Sequence, residues 1–244
     1  MTETISAPVG SKAEKKAFYR MVFRLALPIA LQNLINTALS SADVVMLNYV
    51  SQEALAAVSL ATNISFILSS VYFGMSSGAS VLISQYWGKR DYDTIERVMG
   101  IAFRISMTVA LVFAVAATLF PAALMRLYTG DEKLIVEGTT YLRVVGVSFL
   151  FMGVSMMYLN MMRAMERVVL STATYFISFI TNVILNAFFI FVMHMGVLGV
   201  ALATTIARFV EMAICIVDGR RSCGGRFRMK YLFEKNALLM KDFI

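Results

Sequence analysis

Six long apolar runs, each as long as a membrane-spanning helix needs, dominate the 244-residue sequence. Crossing about 30 Å of hydrocarbon takes roughly 20 apolar residues, at a rise of about 1.5 Å per residue. With 59% hydrophobic and 15% charged residues, the chain carries more apolar surface than a soluble domain can hide from water. The pattern predicts an all-α integral membrane protein, a bundle of six transmembrane helices. We expect the spans at residues 22–49, 54–84, 97–121, 139–161, 168–193 and 196–218.

The basic residues predict how this bundle is oriented. Most of the 22 Lys and Arg lie in the N-terminal segment, the second and fourth connections and the C-terminal stretch, whereas the opposite connections hold only Arg126 and Lys133. Because basic residues concentrate on the cytoplasmic side, both termini are expected in the cytoplasm. The expected division is a cytoplasmic tail at 1–21, a transmembrane bundle at 22–218 and a basic cytoplasmic linker at 219–244.

Three of the spans carry a polar stripe along one helical face. Residues three or four apart share a face, and polar side chains in hydrocarbon must face protein or water. One such stripe could serve only to hold helices together, but three in one bundle indicate a water-accessible cavity. The stripes are Asn33, Asn36, Ser40 and Asp43 in the first span, Ser59, Asn63, Ser70, Gly74 and Ser77 in the second, and Thr174, Ser178, Asn182 and Asn186 in the fifth.

Asp43 is the most informative residue of these stripes. An ionised carboxylate at the centre of a membrane helix costs roughly 2.5–3.5 kcal/mol, so it must face a cavity, be paired or carry a proton. Such a carboxyl can exchange a proton for a cation as its surroundings alternate between wet and dry. The alternative is a hydrogen bond to a neighbouring helix with no role in transport.

Two further features of the spans bear on structure. Pro28, in the first turns of the first span, removes a backbone hydrogen bond and can act as a gating kink, although a proline near the start of a membrane helix is also simply tolerated. Glu211 follows Arg208 by three residues in the sixth span. This spacing predicts an intrahelical ion pair with a structural role.

Nothing in the sequence predicts an enzyme. Residues 74–78 (GMSSG) fit the pattern of a hydrolase nucleophile, but that pattern needs a preceding strand and a nearby base. Gly74 and Gly78 instead have the small-residue spacing of closely approaching helices. With His194 as the single histidine, we expect no catalytic residue, no cofactor and no bound metal apart from Na⁺ at Asp43. The basic linker is expected to lie against lipid, with no nucleic-acid partner.

Short stretches spread over nearly the whole chain are specific when taken jointly. They are residues 27–34 (LPIALQNL), 42–46 (ADVVM), 53–58 (EALAAV), 85–89 (QYWGK), 182–186 (NVILN) and 196–204 (GVLGVALAT). With them the chain resembles the N-terminal half of a MATE (multidrug and toxic compound extrusion) transporter. The resemblance implies a secondary antiporter of the plasma membrane that exports organic, often cationic, compounds in exchange for H⁺ or Na⁺. Its partners would be the substrate, the lipid bilayer and a second six-helix lobe, either a C-terminal half or another copy of the chain.

The resemblance also implies roles for individual residues. Pro28 matches the family's first-helix proline, and Asp43 matches its first-helix acid, which is linked to ion coupling. Asn182 matches the fifth-helix asparagine of the same network, and Thr204 the sixth-helix threonine. Many family members have a second acid at the position of Asn186. Because this chain has an asparagine there, a relay of protons between Asp43 and a second carboxylate at this position is not expected.

Two other functions stay open on the sequence. A lipid-linked oligosaccharide flippase of the same fold would need a strongly basic cavity, and Arg208 is the one basic candidate near the stripes. The chain could also be a non-transporting membrane fragment or assembly subunit. Under the antiporter hypothesis, Asp43, Asn182, Asn186 and Thr204 couple the ion, and Asn33, Asn36, Ser40, Asn63 and Ser178 line the substrate cavity.

Overall fold

The computed structural model describes residues 12–221, and these form an all-α bundle with no strand among them. The all-α prediction is confirmed, and each predicted span corresponds to one long helix. The 231–243 region of the linker, where the sequence favours an amphipathic helix, lies outside the described residues. The helices are α1 (Lys12–Asn48), α2 (Gln52–Gly88), α3 (Tyr92–Leu119), α4 (Pro121–Arg126), α5 (Glu132–Ala164), α6 (Val168–Ala187) and α7 (Gly196–Arg221).

Short polar caps explain where several helices begin. Ser51 accepts a hydrogen bond from the Ala54 amide at the start of α2, Asp91 from the Thr94 amide at α3, and Asp131 from the Lys133 amide at α5. Such side chains satisfy amide groups that the first helical turn leaves unpaired. Pro121 opens α4, a short helix that the apolar pattern did not predict. Its missing amide is harmless at a first helical position.

The end of α6 is irregular. Residues Phe188–Val192 form one π-helical turn, a distortion that occurs mostly in single turns, often beside functional sites. The chain then turns sharply into α7 through Gly196, whose φ is +56°. A glycine adopts this left-handed conformation without the steric strain that a side chain brings.

Helix α5 is the centre of the bundle. It packs against α2, α3 and α7, and α6 packs against α1 and α7. Two apolar clusters form the core. One contains Leu68, Tyr72 and Phe149, and the other contains Ile83 and Leu159 toward the opposite ends of α2 and α5.

Five of the described helices are long and apolar enough to cross a membrane by length and composition, those of α2, α3, α5, α6 with its π turn, and α7. Helix α1 contains a shorter apolar stretch, Ala26–Ile35. Its polar stripe, which ends in Asp43, lowers its mean hydropathy although the helix runs unbroken through 37 residues. Helix α1 is thus the least apolar of the spans.

Candidate functional site

The four residues predicted to couple an ion form one hydrogen-bonded chain across three helices. Asn186 Nδ2 on α6 donates to Asp43 Oδ1 on α1 over 2.6 Å. Asn186 also donates to Asn182 Oδ1 over 2.9 Å, and Asn182 Nδ2 donates to Thr204 Oγ1 on α7 over 3.4 Å. Asn182 and Asn186 are buried, whereas Asp43 and Thr204 are half-buried. The cluster therefore lies inside the lobe with its acid reachable from one side.

This cluster is rich in oxygen ligands. Asn186 Oδ1 is buried and has no hydrogen-bond partner, so it is free to face a donor or a cation. The carboxylate of Asp43 and the amide oxygens beside it are hard oxygen ligands of the kind that hard cations take. The buried Tyr141 of α5 lies within hydrogen-bonding reach of Thr62 and Thr204. Sequence reasoning missed Tyr141, because it sits in an otherwise apolar span with no polar stripe.

A second polar layer lies one helical turn further along α6 and α7. Arg208 Nη1 donates to Glu211 Oε2 over 2.9 Å, which confirms the predicted intrahelical ion pair. Ser178 donates to the same carboxylate oxygen and to the carbonyl oxygen of Ala207, each over 3.4 Å. Ser178, assigned from the sequence to the substrate cavity, is instead enclosed between α6 and α7.

A third polar group joins α1 to α5 and α6 near Pro28. The buried Gln32 donates to Ser171 Oγ and Thr172 Oγ1, both over 2.8 Å, and accepts from Arg163 Nη1 over 3.4 Å. Arg163 also donates to Asn160, and Thr172 Oγ1 donates to the carbonyl of Pro28 over 3.4 Å. Helix α1 continues through Pro28. Gln32 was missed because it lies off the stripe of Asn33 and Asp43.

The structure joins the α1 and α6 stripes at Asp43 and Asn186, but it leaves the α2 stripe outside this contact. The α6 stripe is buried, whereas Ser59, Asn63, Ser70 and Ser77 of α2 are exposed, as is Asn33 of α1. The side chains of Asn36 and Ser40 lie outside the part of the chain that the structure describes. Within the described bundle, the exposed α2 stripe therefore shares no enclosed space with the buried α6 stripe, because spacing defines a face but not the neighbour that this face meets.

No helix of the described residues packs closely against Gly74 or Gly78. A Cβ added at either glycine would meet nothing within 4 Å in the described residues. Both glycines lie on the exposed face of α2. Ser76 between them is buried and donates to the carbonyl of Phe73 on its own helix.

A cavity of about 570 Å³ lies elsewhere, between α2, α3, α5 and α7. Its walls are mostly apolar and include Met99, Met157 and Met161. None of the residues predicted from the sequence as site residues lines it. Among residues 12–221, no group of three or more His, Cys, Asp or Glu side chains is placed to hold a metal ion.

The proteins to which this chain is similar agree with an all-α membrane architecture. A family model described as MatE matches residues 28–188. The probable multidrug resistance protein YoeA of Bacillus subtilis (strain 168) is 25% identical over 225 residues, which are 90% of this chain and 49% of that protein. Multidrug and toxin extrusion protein 1 of Oryctolagus cuniculus is 29% identical over 197 residues, 78% of this chain and 34% of that protein.

Solved structures share the fold. A crystal structure of MATE in the bent conformation superposes with a TM-score of 0.84 at 18% identity, over 92% of this chain and 50% of that one. An outward-facing multidrug resistance MATE family transporter of the MOP superfamily gives a TM-score of 0.83 at 19% identity, over 91% and 50%. The chain thus spans about half the length of YoeA and of the two solved transporters, and about a third of the rabbit protein. Since the family model covers well over half of the sequence, this chain belongs to the MatE family of membrane proteins.

Proposed function

We propose that the chain forms one lobe of a secondary antiporter that exports organic, often cationic, compounds in exchange for H⁺ or Na⁺. The observation that carries the proposal is the 2.6 Å hydrogen bond between Asn186 and Asp43, an acid held inside a membrane bundle beside an unpartnered amide oxygen. An intramembrane acid is retained at a large energetic cost and marks an ion path. The names of the similar proteins, multidrug resistance and multidrug extrusion proteins, support the same substrate class.

The chemistry assigned to Asp43 is the exchange of a proton for a cation. The protonated acid is neutral and can stay in a dry site, whereas the carboxylate needs a positive partner or water. Asn182, Asn186 and Thr204 would supply neutral oxygens around a bound Na⁺ or hold the carboxyl in place for a proton. No cofactor is needed, because the ion gradient supplies the free energy.

The substrate path is assigned to the surface that this lobe presents to a second lobe. The exposed faces that carry Asn33 and Asn63 would line it, with Asn36 and Ser40 on the same helix as Asn33. Alternating access works by one bundle rocking against another around a site near the midplane. Pro28 would provide the gating bend in α1, because a proline has no amide hydrogen for the helical hydrogen bond at its position. Its carbonyl accepts a hydrogen bond from Thr172 of α6.

The distribution of Lys and Arg supports the proposed membrane orientation of the lobe and the limits of its three segments. The basic last turn of α7, Arg220 and Arg221, supports a cytoplasmic linker at 219–244, and the Lys-rich residues 1–21 form the cytoplasmic tail. The six-helix lobe at 22–218 would then span the plasma membrane with both termini in the cytoplasm.

The flippase alternative is weakened by the pairing of Arg208. Its guanidinium is 2.9 Å from the carboxylate of Glu211, so its charge is compensated rather than presented to an anionic lipid headgroup. The non-transporting alternative would leave the Asp43 cluster without a role.

The test is transport of ethidium by the chain reconstituted in lipid vesicles, with an imposed H⁺ or Na⁺ gradient. The Asp43→Asn variant keeps the shape of the side chain but cannot release a proton or bind a cation by charge. We expect it to lose gradient-driven transport while inserting normally, and Glu53→Gln, an exposed acid at the start of α2, to behave as the parent. Undiminished gradient-driven transport by Asp43→Asn would contradict the coupling role.

A further inference from the structure

We propose that the cavity between α2, α3, α5 and α7 binds an acyl chain of an anionic phospholipid, whose phosphate is held by Arg220 at the mouth of the cavity. The site is separate from the Asp43 cluster. Cys215, on the cavity wall, follows Thr204 by about three turns of α7, roughly 16 Å along the helix axis. The inference concerns a ligand of the lobe itself and does not depend on antiport.

The cavity lies at one end of the bundle. Helices α2, α5 and α7 end there, at Gly88, Ala164 and Arg221, and α3 begins there at Tyr92. On α2 the lining residues run from Ser76 to Ile83, roughly 10 Å along the helix. The cavity therefore extends inward, into the apolar layer, from the end of the bundle that carries the basic last turn of α7.

The interior of the cavity is suited to hydrocarbon and not to water. The hydroxyl groups of Ser76 and Ser80 donate to backbone carbonyls of their own helix over 3.1 and 2.7 Å. The side-chain oxygen of Asn160 accepts from Arg163. Water stays in a cavity where several polar groups hold it, and these oxygens are already hydrogen-bonded to the protein.

The walls can adapt to a flexible chain. Met99, Met157 and Met161 line the cavity and are buried, and methionine side chains adjust to irregular shapes. A volume of about 570 Å³ lies within the usual range of ligand sites. Wall atoms that face a void lose dispersion contacts, and lipid hydrocarbon is the material that a membrane offers to restore them.

The mouth of the cavity combines an apolar and a basic side chain. Ile216 and Arg220 both line the cavity and are exposed, and at four positions apart they share one face of α7. Arg220 is the one nearer the helix end, where lipid headgroups lie. Its planar guanidinium can donate two parallel hydrogen bonds to a phosphate.

The neighbouring acid does not neutralise Arg220. Asp218 accepts from Tyr158 Oη over 2.6 Å and pairs with Arg167 Nη2 at 3.4 Å. Residues two apart do not face each other on a helix, so Asp218 lies on another side of α7. Within residues 12–221, no ion pair joins Arg220 to an acid. A positive charge therefore stands at the mouth of the cavity.

This charge selects the occupant. It attracts an anionic headgroup and opposes an organic cation of the class proposed for export. A zwitterionic phospholipid has the same acyl chains but brings its own positive charge beside the phosphate. An anionic phospholipid matches both the apolar interior and the basic mouth. In the proposed orientation this end is cytoplasmic, on the side of the membrane whose surface is negative.

The test measures lipid bound to the whole chain by native mass spectrometry, during titration in detergent with phosphatidylglycerol or phosphatidylcholine of the same acyl chains. The parent should bind phosphatidylglycerol about tenfold more tightly. Arg220→Gln should remove this preference. Arg221→Gln is the matched control and should keep it, because Arg221 does not line the cavity. Equal binding of the two lipids by the parent, or an unchanged preference in Arg220→Gln, would overturn the proposal.

A second pair of variants tests whether the lipid occupies the cavity. Ser80→Phe places a ring in the cavity from its α2 wall, and Ser84→Phe adds the same ring one turn further on, at an exposed position outside the lining. Ser80→Phe should weaken phosphatidylglycerol binding about tenfold or more, and Ser84→Phe should bind as the parent does. Thermal unfolding without added lipid checks that both variants are folded. Parent-like binding by Ser80→Phe would place the lipid elsewhere and contradict the proposal.

Two competitors identify the bound chemistry. An excess of inorganic phosphate should leave phosphatidylglycerol bound to the parent, because the acyl chain contributes to binding as well as the phosphate. Release of the lipid by phosphate would contradict the role of the cavity. An excess of ethidium should also leave the lipid bound, and release by ethidium would assign the cavity to the cation path instead. These outcomes leave the coupling role of Asp43 to its own transport test.

Discussion

At the scale of single residues, one amide organises the candidate site. Asn186 donates to both Asp43 and Asn182, so it holds the acid of α1 against α6. A second acid in its place would need a shared proton, because two carboxylates at hydrogen-bond distance do not both ionise readily. The asparagine therefore makes Asp43 the one carboxyl of this cluster of Asp43, Asn182, Asn186 and Thr204.

Replacing Asn186 by alanine should destabilise the lobe. The variant leaves the carboxyl of Asp43 and the amide oxygen of Asn182 without their donor, and a hydrogen bond to a charged group contributes about 1.5–3 kcal/mol. We expect the free energy of unfolding in detergent to fall by about that amount. Asn63→Ala is the matched control, because Asn63 is exposed and bonds only the carbonyl of Ser59 on its own helix in the described contacts. Equal stability of the two variants would contradict this role of Asn186.

At the scale of helices, the junction of α6 and α7 sets the register of the two polar layers. The π turn at Phe188–Val192 and the left-handed Gly196 bring α7 back along α6. Gly199 lies in the first turn of α7, where an added Cβ would approach Phe189 Cβ to 2.8 Å and Met195 Cβ to 3.2 Å. These are atoms close to the backbone, so they cannot move aside without shifting the helices.

Gly199→Ala should destabilise the lobe by about 1–3 kcal/mol, the usual range for an overpacked core. Gly78→Ala is the control, because the added methyl meets nothing within 4 Å and alanine is favoured over glycine in a helix by roughly 0.8–1 kcal/mol. Thermal unfolding in detergent should therefore move in opposite directions for the two variants. A neutral Gly199→Ala would show that the junction can adjust.

At the scale of the whole molecule, α2 presents an unusual surface. Its exposed face combines Asn63 with Gly74 and Gly78. Ser59 and Ser70 on this face donate their hydroxyl hydrogen bonds to backbone carbonyls of the same helix, those of Leu55 and Phe66. Small residues in this spacing allow a second helix to approach closely in a membrane. We expect this face to meet another lobe, supplied by further chain or by a second copy.

A cysteine placed on this face should report that contact. In a background with Cys215 and Cys223 replaced by serine, Ser77→Cys should form crosslinks between copies of the chain in vesicles. The matched control is Val112→Cys on α3, whose side chain is 61% exposed but apolar and suited to lipid. Crosslinking of Val112→Cys at an equal rate would mean that the contacts are random collisions.

Much of the fold could be predicted from the amino-acid sequence alone. Continuous apolar runs define membrane helices, because hydrocarbon leaves no other partner for the backbone, and all the predicted long helices are present. The short α4 and the π turn were missed, since a proline or a five-residue distortion hardly alters an apolar pattern. The pairing of Arg208 with Glu211 was predictable because its spacing lies within one helix.

What the sequence alone determined was therefore the membrane class, the helices and the face on which each polar residue lies. Only the tertiary structure decided which faces meet: Asn186 reaches Asp43 across 143 positions of the chain, whereas the stripe of α2 points away from the bundle. The physical reason is that helical periodicity defines a direction around one axis. The neighbour in that direction depends on how all the helices pack around α5.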